Sequence, residues 1–353
     1  MKKSVLWAVL TVLLSGCEAG NLGFYLYPQA AAPTGISEET ASGPLAGLEV
    51  VGYLPGYKIP ATDPAQARHL TDLVYFTLSV TGDGEVRQDS LTPDRLDFLR
   101  KVKREFGTRI LIGITDHEKR GDLAAVAKSP ELRVKFAGRL TAFLQEDGFD
   151  GADFDWEYPR TQDLDNYALL LDEVRRSFSP WGLRVTVAVS PSHPLNTAAY
   201  LAVDRVHGML YDDYGQHSTL ENSAAHVQAF LDQGVPAGKL LLGLPFYGRG
   251  YTEKGPAWSS AVSYKTLQGR YRLSPSQDTV SGYYFNGIET VRRKVQYAKQ
   301  AGLSGVMVWE IGQDTTDESS LLGAITDERK DLARPAGAGS TASSSLPETR
   351  PAL

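Results

Sequence analysis

The stretch FDGADFDWEYP, residues 149–159, concentrates acid: Asp150, Asp153, Asp155 and Glu157. The last three recur at every second position. In a β-strand, side chains two apart share a face at a rise of about 3.3 Å per residue, so these carboxyl groups form one column, with Cα atoms about 6–7 Å apart. Phe154 and Trp156 then point the other way, into an apolar layer. Three carboxyl groups in one partly buried space cannot all stay ionised cheaply, because repulsion and desolvation both favour keeping at least one proton. A carboxyl that keeps its proton near neutral pH is equipped for general acid chemistry. The spacing alone also describes the wet face of an antiparallel strand, so the elements around it decide.

Those elements alternate from about residue 47 to 332. Strands are expected at LEVVGYLPGY, at 72–80, at 109–115, at FDGADFDWE, at 183–191, within 205–215, within 239–251 and at 305–312. Helical patterns lie between most of them: DRLDFLRKVKREFG, ELRVKFAGRLTAFLQEDG with Gly148 as its C-cap, DNYALLLDEVRRSF, ENSAAHVQAFLDQG and ETVRRKVQYAKQAG, with SSLLGAI as a short last helix. Mostly apolar strands separated by helices predict a parallel (β/α)8 barrel, a TIM barrel, with chemistry at the C-terminal strand ends. A doubly wound sheet is the alternative, but no Gly-rich phosphate loop opens a helix. In the barrel, Glu157 stands at the mouth of strand four as the natural proton donor, Asp155 one pleat below it and Asp153 deeper still. The stretch from Thr252 to Tyr284 lacks a helical period and is expected to be a short insertion between strand seven and its helix.

DGADFDWEYP resembles the DGxDxDWEYP signature of family 18 glycoside hydrolases, the chitinase family, and the resemblance covers roughly residues 48–325. An ordinary retaining glycosidase sets a second carboxylate about 5–5.5 Å from the acid, and an inverting one sets a base farther off; a column on one strand suits neither well. The resemblance supplies the missing nucleophile, the substrate's own 2-acetamido oxygen, which closes an oxazolinium ion. It implies Glu157 as acid/base, Asp155 as the group that orients the acetamido function, and Asp153 as its proton partner. Met209-Leu210-Tyr211-Asp212 resembles the family's MxYD, which implies that Tyr211 bonds the acetamido oxygen and Asp212 contacts the sugar. GVMVWEIGQD implies Trp309 as a stacking floor, and GLPFYGRGY implies Tyr247 and Arg249 as substrate contacts. Tyr53 matches a tyrosine that supports the deepest aspartate. Strand three departs from the pattern: where the family has SxGG, this chain has Gly113-Ile114-Thr115-Asp116, so a serine partner of Asp153 is gone and an acid is added. The function implied is retaining hydrolysis of β-1,4-linked N-acetylglucosamine polymers, without a cofactor. An endo-β-N-acetylglucosaminidase acting on N-glycans or peptidoglycan, and an inactive sugar-binding lectin, are the alternatives.

The net charge of −6 over 353 residues, with no cluster of Lys and Arg, argues against a nucleic-acid partner. The six histidines form no HxxxH or HExxH spacing, so no catalytic metal is expected, and without GxSxG an α/β-hydrolase esterase is not expected either. Cys17 is the single cysteine, which rules out an intramolecular disulfide. It follows Lys2-Lys3 and an apolar run from Val5 to Leu14 too short to span a bilayer, and Leu14-Ser15-Gly16-Cys17 resembles a bacterial lipobox. The expected organisation is a lipoprotein signal over 1–17, a flexible linker over 18–46, the catalytic barrel over 47–332 and a disordered Ser/Ala/Gly/Pro-rich tail over 333–353. Lipidated Cys17 would hold a monomer on a bacterial membrane, the outer one being favoured by Glu18; a plain signal would give a secreted protein.

Overall fold

A computed structural model of the chain describes residues 47–116, 121–252, 255–256 and 260–333. The barrel strands, in chain order, are β1 (Glu49–Pro55), β2 (Asp72–Val80), β3 (Arg109–Thr115), β4 (Gly151–Asp155), β5 (Arg184–Val189), β6 (Arg205–Gly208), β7 (Leu240–Pro245) and β8 (Gly305–Trp309). Each pairs in parallel with the next, and β8 pairs with β1 from Glu49↔Gly305 to Gly52↔Val308, which closes the (β/α)8 barrel.

Burial on both faces explains why the strands are apolar along nearly their whole length. One core lies inside the barrel and is built on Val51, Tyr53, Val74, Leu111, Leu241 and Met307. The other lies between barrel and helices and takes the alternate residues, among them Val50, Leu73, Ile110, Phe154 and Trp156. The period of two therefore sends Asp153 and Asp155 inward and Phe154 outward. Helix Pro130–Asp147 shows how the covering layer is delimited. The Ser129 hydroxyl accepts from the Leu132 N–H at its start, and Gly148, at φ 70°, closes it in the left-handed region that other residues enter at a cost.

Several expected bounds move. Strand four ends at Asp155, so Glu157 lies just beyond it. The run 239–251 is two strands: Pro245, which has no N–H to continue the ladder, ends β7, and Tyr247–Thr252 leaves the barrel to pair antiparallel with Gly255–Pro256, Val262–Ser263 and Tyr283–Tyr284. The insertion is thus a small sheet, and it carries a helix of its own, Tyr264–Tyr271. The last helix runs from Leu321 to Ala333, longer than SSLLGAI suggests, and Asp122–Lys128 and Thr197–Ala202 form short helices that the pattern does not announce. Cys17, the signal, the linker and the tail lie outside the described residues.

At the entry end of the barrel, the first residues of β1, β2, β3, β5 and β6 are all charged and bond across the interior. Arg109 grips Asp72 with two bonds of 2.7 Å, Arg184 reaches both Asp72 (3.3 Å) and Glu49 (3.1 Å), and Arg205 bonds Glu49 at 2.7 and 3.1 Å. Burial alone would raise both carboxyls, but the guanidinium partners outweigh it and hold Asp72 and Glu49 below their usual range.

Candidate active site

The other end of β4 carries the acidic column. Asp153 is fully buried: its Oδ2 accepts from the Tyr53 hydroxyl at 2.7 Å and its Oδ1 from the Thr186 hydroxyl at 2.5 Å. Asp155, one pleat higher, is 4 % exposed, and its Oδ1 has no hydrogen-bond partner among the described residues. Burial first, then the charges of Glu157 and Asp153, push its carboxyl well above the ordinary range. Glu157 emerges into solvent past the strand end. Asp150, at the entry to the strand, is spent elsewhere, accepting from Lys103 and from the Ile110 N–H, each at 2.8 Å.

The facing wall comes from β6 and from the strand Tyr247–Thr252. The Tyr211 hydroxyl has one contact among the described residues, the Met307 sulfur at 4.0 Å. Burial, then Tyr247, Asp155, Asp212 and Glu157, raise this hydroxyl far up, so it is a donor at any working pH. Asp212, whose backbone sits in the left-handed region at φ 68°, is clamped by Arg249 at 2.7 and 2.8 Å and by the Tyr247 hydroxyl at 2.9 Å. Burial would raise its carboxyl, but His217, Arg249 and Tyr247 reverse that and hold it far below the usual range. Tyr247 and Arg249 therefore shape Asp212 directly. The loop that carries Asp212 is fixed from behind: the fully buried Lys294 donates to the Ser218 carbonyl (2.8 Å), the Ser218 hydroxyl (2.8 Å) and Asn286 (2.9 Å).

Aromatic rings make the floor. Trp309, at the end of β8, meets Phe76 edge-on at 5.0 Å between centroids and Tyr53 at 5.7 Å, and Met209 packs against the same interior core. Beside Glu157, Tyr158 stacks flat on His193, with centroids 4.0 Å apart and planes 7° from parallel.

The family model for glycosyl hydrolases family 18 matches residues 49–314. The chain belongs to glycosyl hydrolase family 18. Chitinase A1 of Niallia circulans is 29% identical over an alignment 301 residues long that covers 63% of this chain and 42% of that protein, so the present chain spans less than half of that relative. Chitotriosidase-1 of Mus musculus is 26% identical over 336 residues, covering 74% of this chain and 71% of its own. Among solved structures, the GH18 chitinase ChiB from the chitin utilization locus of Flavobacterium johnsoniae superposes with a TM-score of 0.71 at 26% identity, covering 81% of this chain and 95% of that one.

Within this family 18 barrel, the altered strand-three end resolves into two separate facts. Asp116 does not add its charge to the column; its carboxylate oxygens accept from the Gly121 and Asp122 N–H groups, each at 3.0 Å, at the start of helix Asp122–Lys128. Gly113 is the register partner of Asp153 and brings no side chain to it. The partners that Asp153 does have include two residues that reading the sequence misses, Thr186 on β5, which donates to it, and His207 on β6, whose Nδ1 lies 3.1 Å from it. Each sits two positions in sequence from an inward residue, Thr186 from Ala188 and His207 from Met209; that parity faces them inward but does not name their partner.

Proposed function

We propose that this family 18 chain is a retaining hydrolase of β-1,4-linked N-acetylglucosamine polymers, chitin and its oligosaccharides, working through the substrate's acetamido group. The observation that carries the proposal is the column of Asp153, Asp155 and Glu157, with Asp155 buried between the other two, faced by a wall whose own carboxylate, Asp212, is gripped at both oxygens by Arg249. A gripped, strongly acidic carboxylate is a poor nucleophile, so the attacking oxygen comes from the sugar. Glu157 gives its proton to the glycosidic oxygen. As the C1–O bond breaks, the acetamido carbonyl oxygen bonds to C1, and the leaving chain departs as an alcohol. The Tyr211 hydroxyl donates to that carbonyl oxygen, and Asp155 accepts the acetamido N–H. Glu157, now a carboxylate, takes a proton from water as the water attacks C1 and reopens the oxazolinium ring, which retains the β configuration. The relatives named chitinases support this substrate class, and Trp309 offers the aromatic face that a sugar ring takes.

The test is a time course on chitotetraose by proton NMR, with the wild-type protein beside Glu157→Gln. The expected result is β-anomer products from the wild type and none from the variant. α-Anomer products first would remove the acetamido mechanism. Binding without turnover would indicate a lectin, and cleavage of peptidoglycan or N-glycans alone would move the substrate. We also propose that acylated Cys17 holds the barrel on a bacterial membrane, a reading supported by the lipobox-like Leu14-Ser15-Gly16-Cys17, and Cys17→Ser should release it to the soluble fraction.

A further inference from the structure

His207 lies fully buried beneath the acidic column. Its Nδ1 is 2.7 Å from the Tyr53 hydroxyl oxygen and 3.1 Å from Asp153 Oδ1, and the Tyr53 ring meets its imidazole edge-on at 5.8 Å. Its other nitrogen, Nε2, has no hydrogen-bond partner among the described residues. Nothing in the mechanism above uses it.

Hydrogen accounting constrains what it is. The Tyr53 hydroxyl has one proton, and it goes to Asp153 Oδ2 at 2.7 Å; Thr186 gives its own to Oδ1. The Tyr53 oxygen and Asp153 Oδ1 then both present lone pairs to His207 Nδ1. Only a hydrogen on Nδ1 makes those two short approaches attractive. With Nδ1 protonated, Nε2 of the neutral ring is bare, which spares the core an orphaned N–H donor. The opposite tautomer would set the Nδ1 lone pair against Asp153 Oδ1 and would bury an unpartnered Nε2–H, so it is disfavoured twice.

We infer that His207 is a positioning residue: as the Nδ1–H tautomer it joins Tyr53 and Thr186 in holding Asp153 as an oriented carboxylate beneath Asp155, at the level where Gly113 of strand three supplies nothing. Hydrogen bonds to the charged form of a carboxylate favour that form. The charge of Asp153 is in turn one of the causes, after burial and Glu157, that raise Asp155. His207 thus acts on the reaction through Asp153 and touches no substrate.

Two experiments test this, and the first does not depend on the reaction proposed above. Long-range proton–nitrogen NMR of the ring-labelled wild-type protein at neutral pH should show His207 with a protonated Nδ1 and a bare Nε2. The reverse tautomer would overturn the inference whatever the enzyme cleaves. The second rests on the chitinase reading and compares His207→Leu with His207→Asn, whose side-chain amide can return an N–H near the Nδ1 position. Losing a donor to a charged group should lower kcat on chitotetraose by about 10- to 100-fold in the leucine variant with KM nearly unchanged. The asparagine variant should recover most of that loss. Equal kcat values for two folded variants would show that His207 serves packing alone. A wild-type protein inactive on every chitooligosaccharide would overturn the proposed function and leave the tautomer result standing.

Discussion

At the entry end of the barrel each buried carboxylate has a guanidinium against it; at the mouth, Asp153, Asp155 and Glu157 stand in one column, and Asp153 is met by the neutral hydroxyls of Tyr53 and Thr186. The two sets share the barrel interior, and β4 runs from one level to the other. At the entry, Arg109, Arg184 and Arg205 outweigh desolvation, and Asp72 and Glu49 stay ionised more firmly than in water. At the mouth, desolvation and like charge act in the same direction on Asp155. Burial raises an acid at both ends; the sign of its neighbours decides whether that rise is reversed or reinforced. One arrangement staples strands together and the other raises an acid where a glycosidic bond is to be broken.

The largest effect expected is on the stapled side. Asp72→Asn leaves Arg109 and Arg184 short of an acceptor, and breaking a buried pair costs about 3–5 kcal/mol. Arg109 keeps 37% of its side chain exposed, which points to the lower bound, about 3 kcal/mol by urea unfolding, with turnover unchanged. A cost under about 1 kcal/mol would reduce the charged ring to ordinary surface pairing. At the mouth the same logic predicts loss of rate without loss of stability. Tyr211→Phe removes a hydroxyl whose hydrogen-bond partner among the described residues is a distant sulfur, so its melting temperature should hold while kcat/KM on chitotetraose falls about 10- to 100-fold. A variant that melts early and turns over normally would assign the hydroxyl to packing.

The subtlest expectation concerns pH, and the two ends should differ in sign. Asp155, raised in the fold, contributes stability that is fully present below the unfolded carboxylate value, about 3.9, and is lost as pH rises through its folded value. Asp72, lowered in the fold, contributes stability present above about 3.9 and lost as pH falls through its folded value. Asp155→Asn should therefore gain on the wild type as pH rises from about 4 toward neutrality, whereas the deficit of Asp72→Asn should shrink as pH falls below about 4. Melting temperatures across that range settle it, and differences of the same sign in both variants would break the comparison.

The barrel and its acidic strand were legible because both follow short periods. Asp153, Phe154 and Asp155 alternate, and the helical runs repeat apolar residues at their own interval. What escaped was set by space rather than by spacing. Tyr53 and Asp153 bond across 100 positions, and Thr186 reaches Asp153 from 33 positions away, so no local pattern announces Thr186 or His207 as a partner. The resemblance supplied Tyr53, whereas His207 answers to nothing short of the fold. The run GLPFYGRGY reads as one strand because its residues suit strands throughout; Pro245 and the pairing of Tyr247 with Ser263 divide it. The last helix continues past Ile325 through TDERKDLA, whose many charged residues weaken the apolar signal that marks its first turns.

The closing seam between β1 and β8 sets a clock on synthesis. One edge of β1 is satisfied by β2, but the other waits for Gly305–Trp309. Glu49, at the start of β1, must wait 135 positions for Arg184 and 156 for Arg205. At ribosomal rates of about 5–20 residues per second, the open edge persists for roughly 10–50 s after β1 is made. During that interval it is an unpaired strand that invites a second nascent copy. Keeping that edge free of other chains until Gly305–Trp309 arrives is what lets this barrel close.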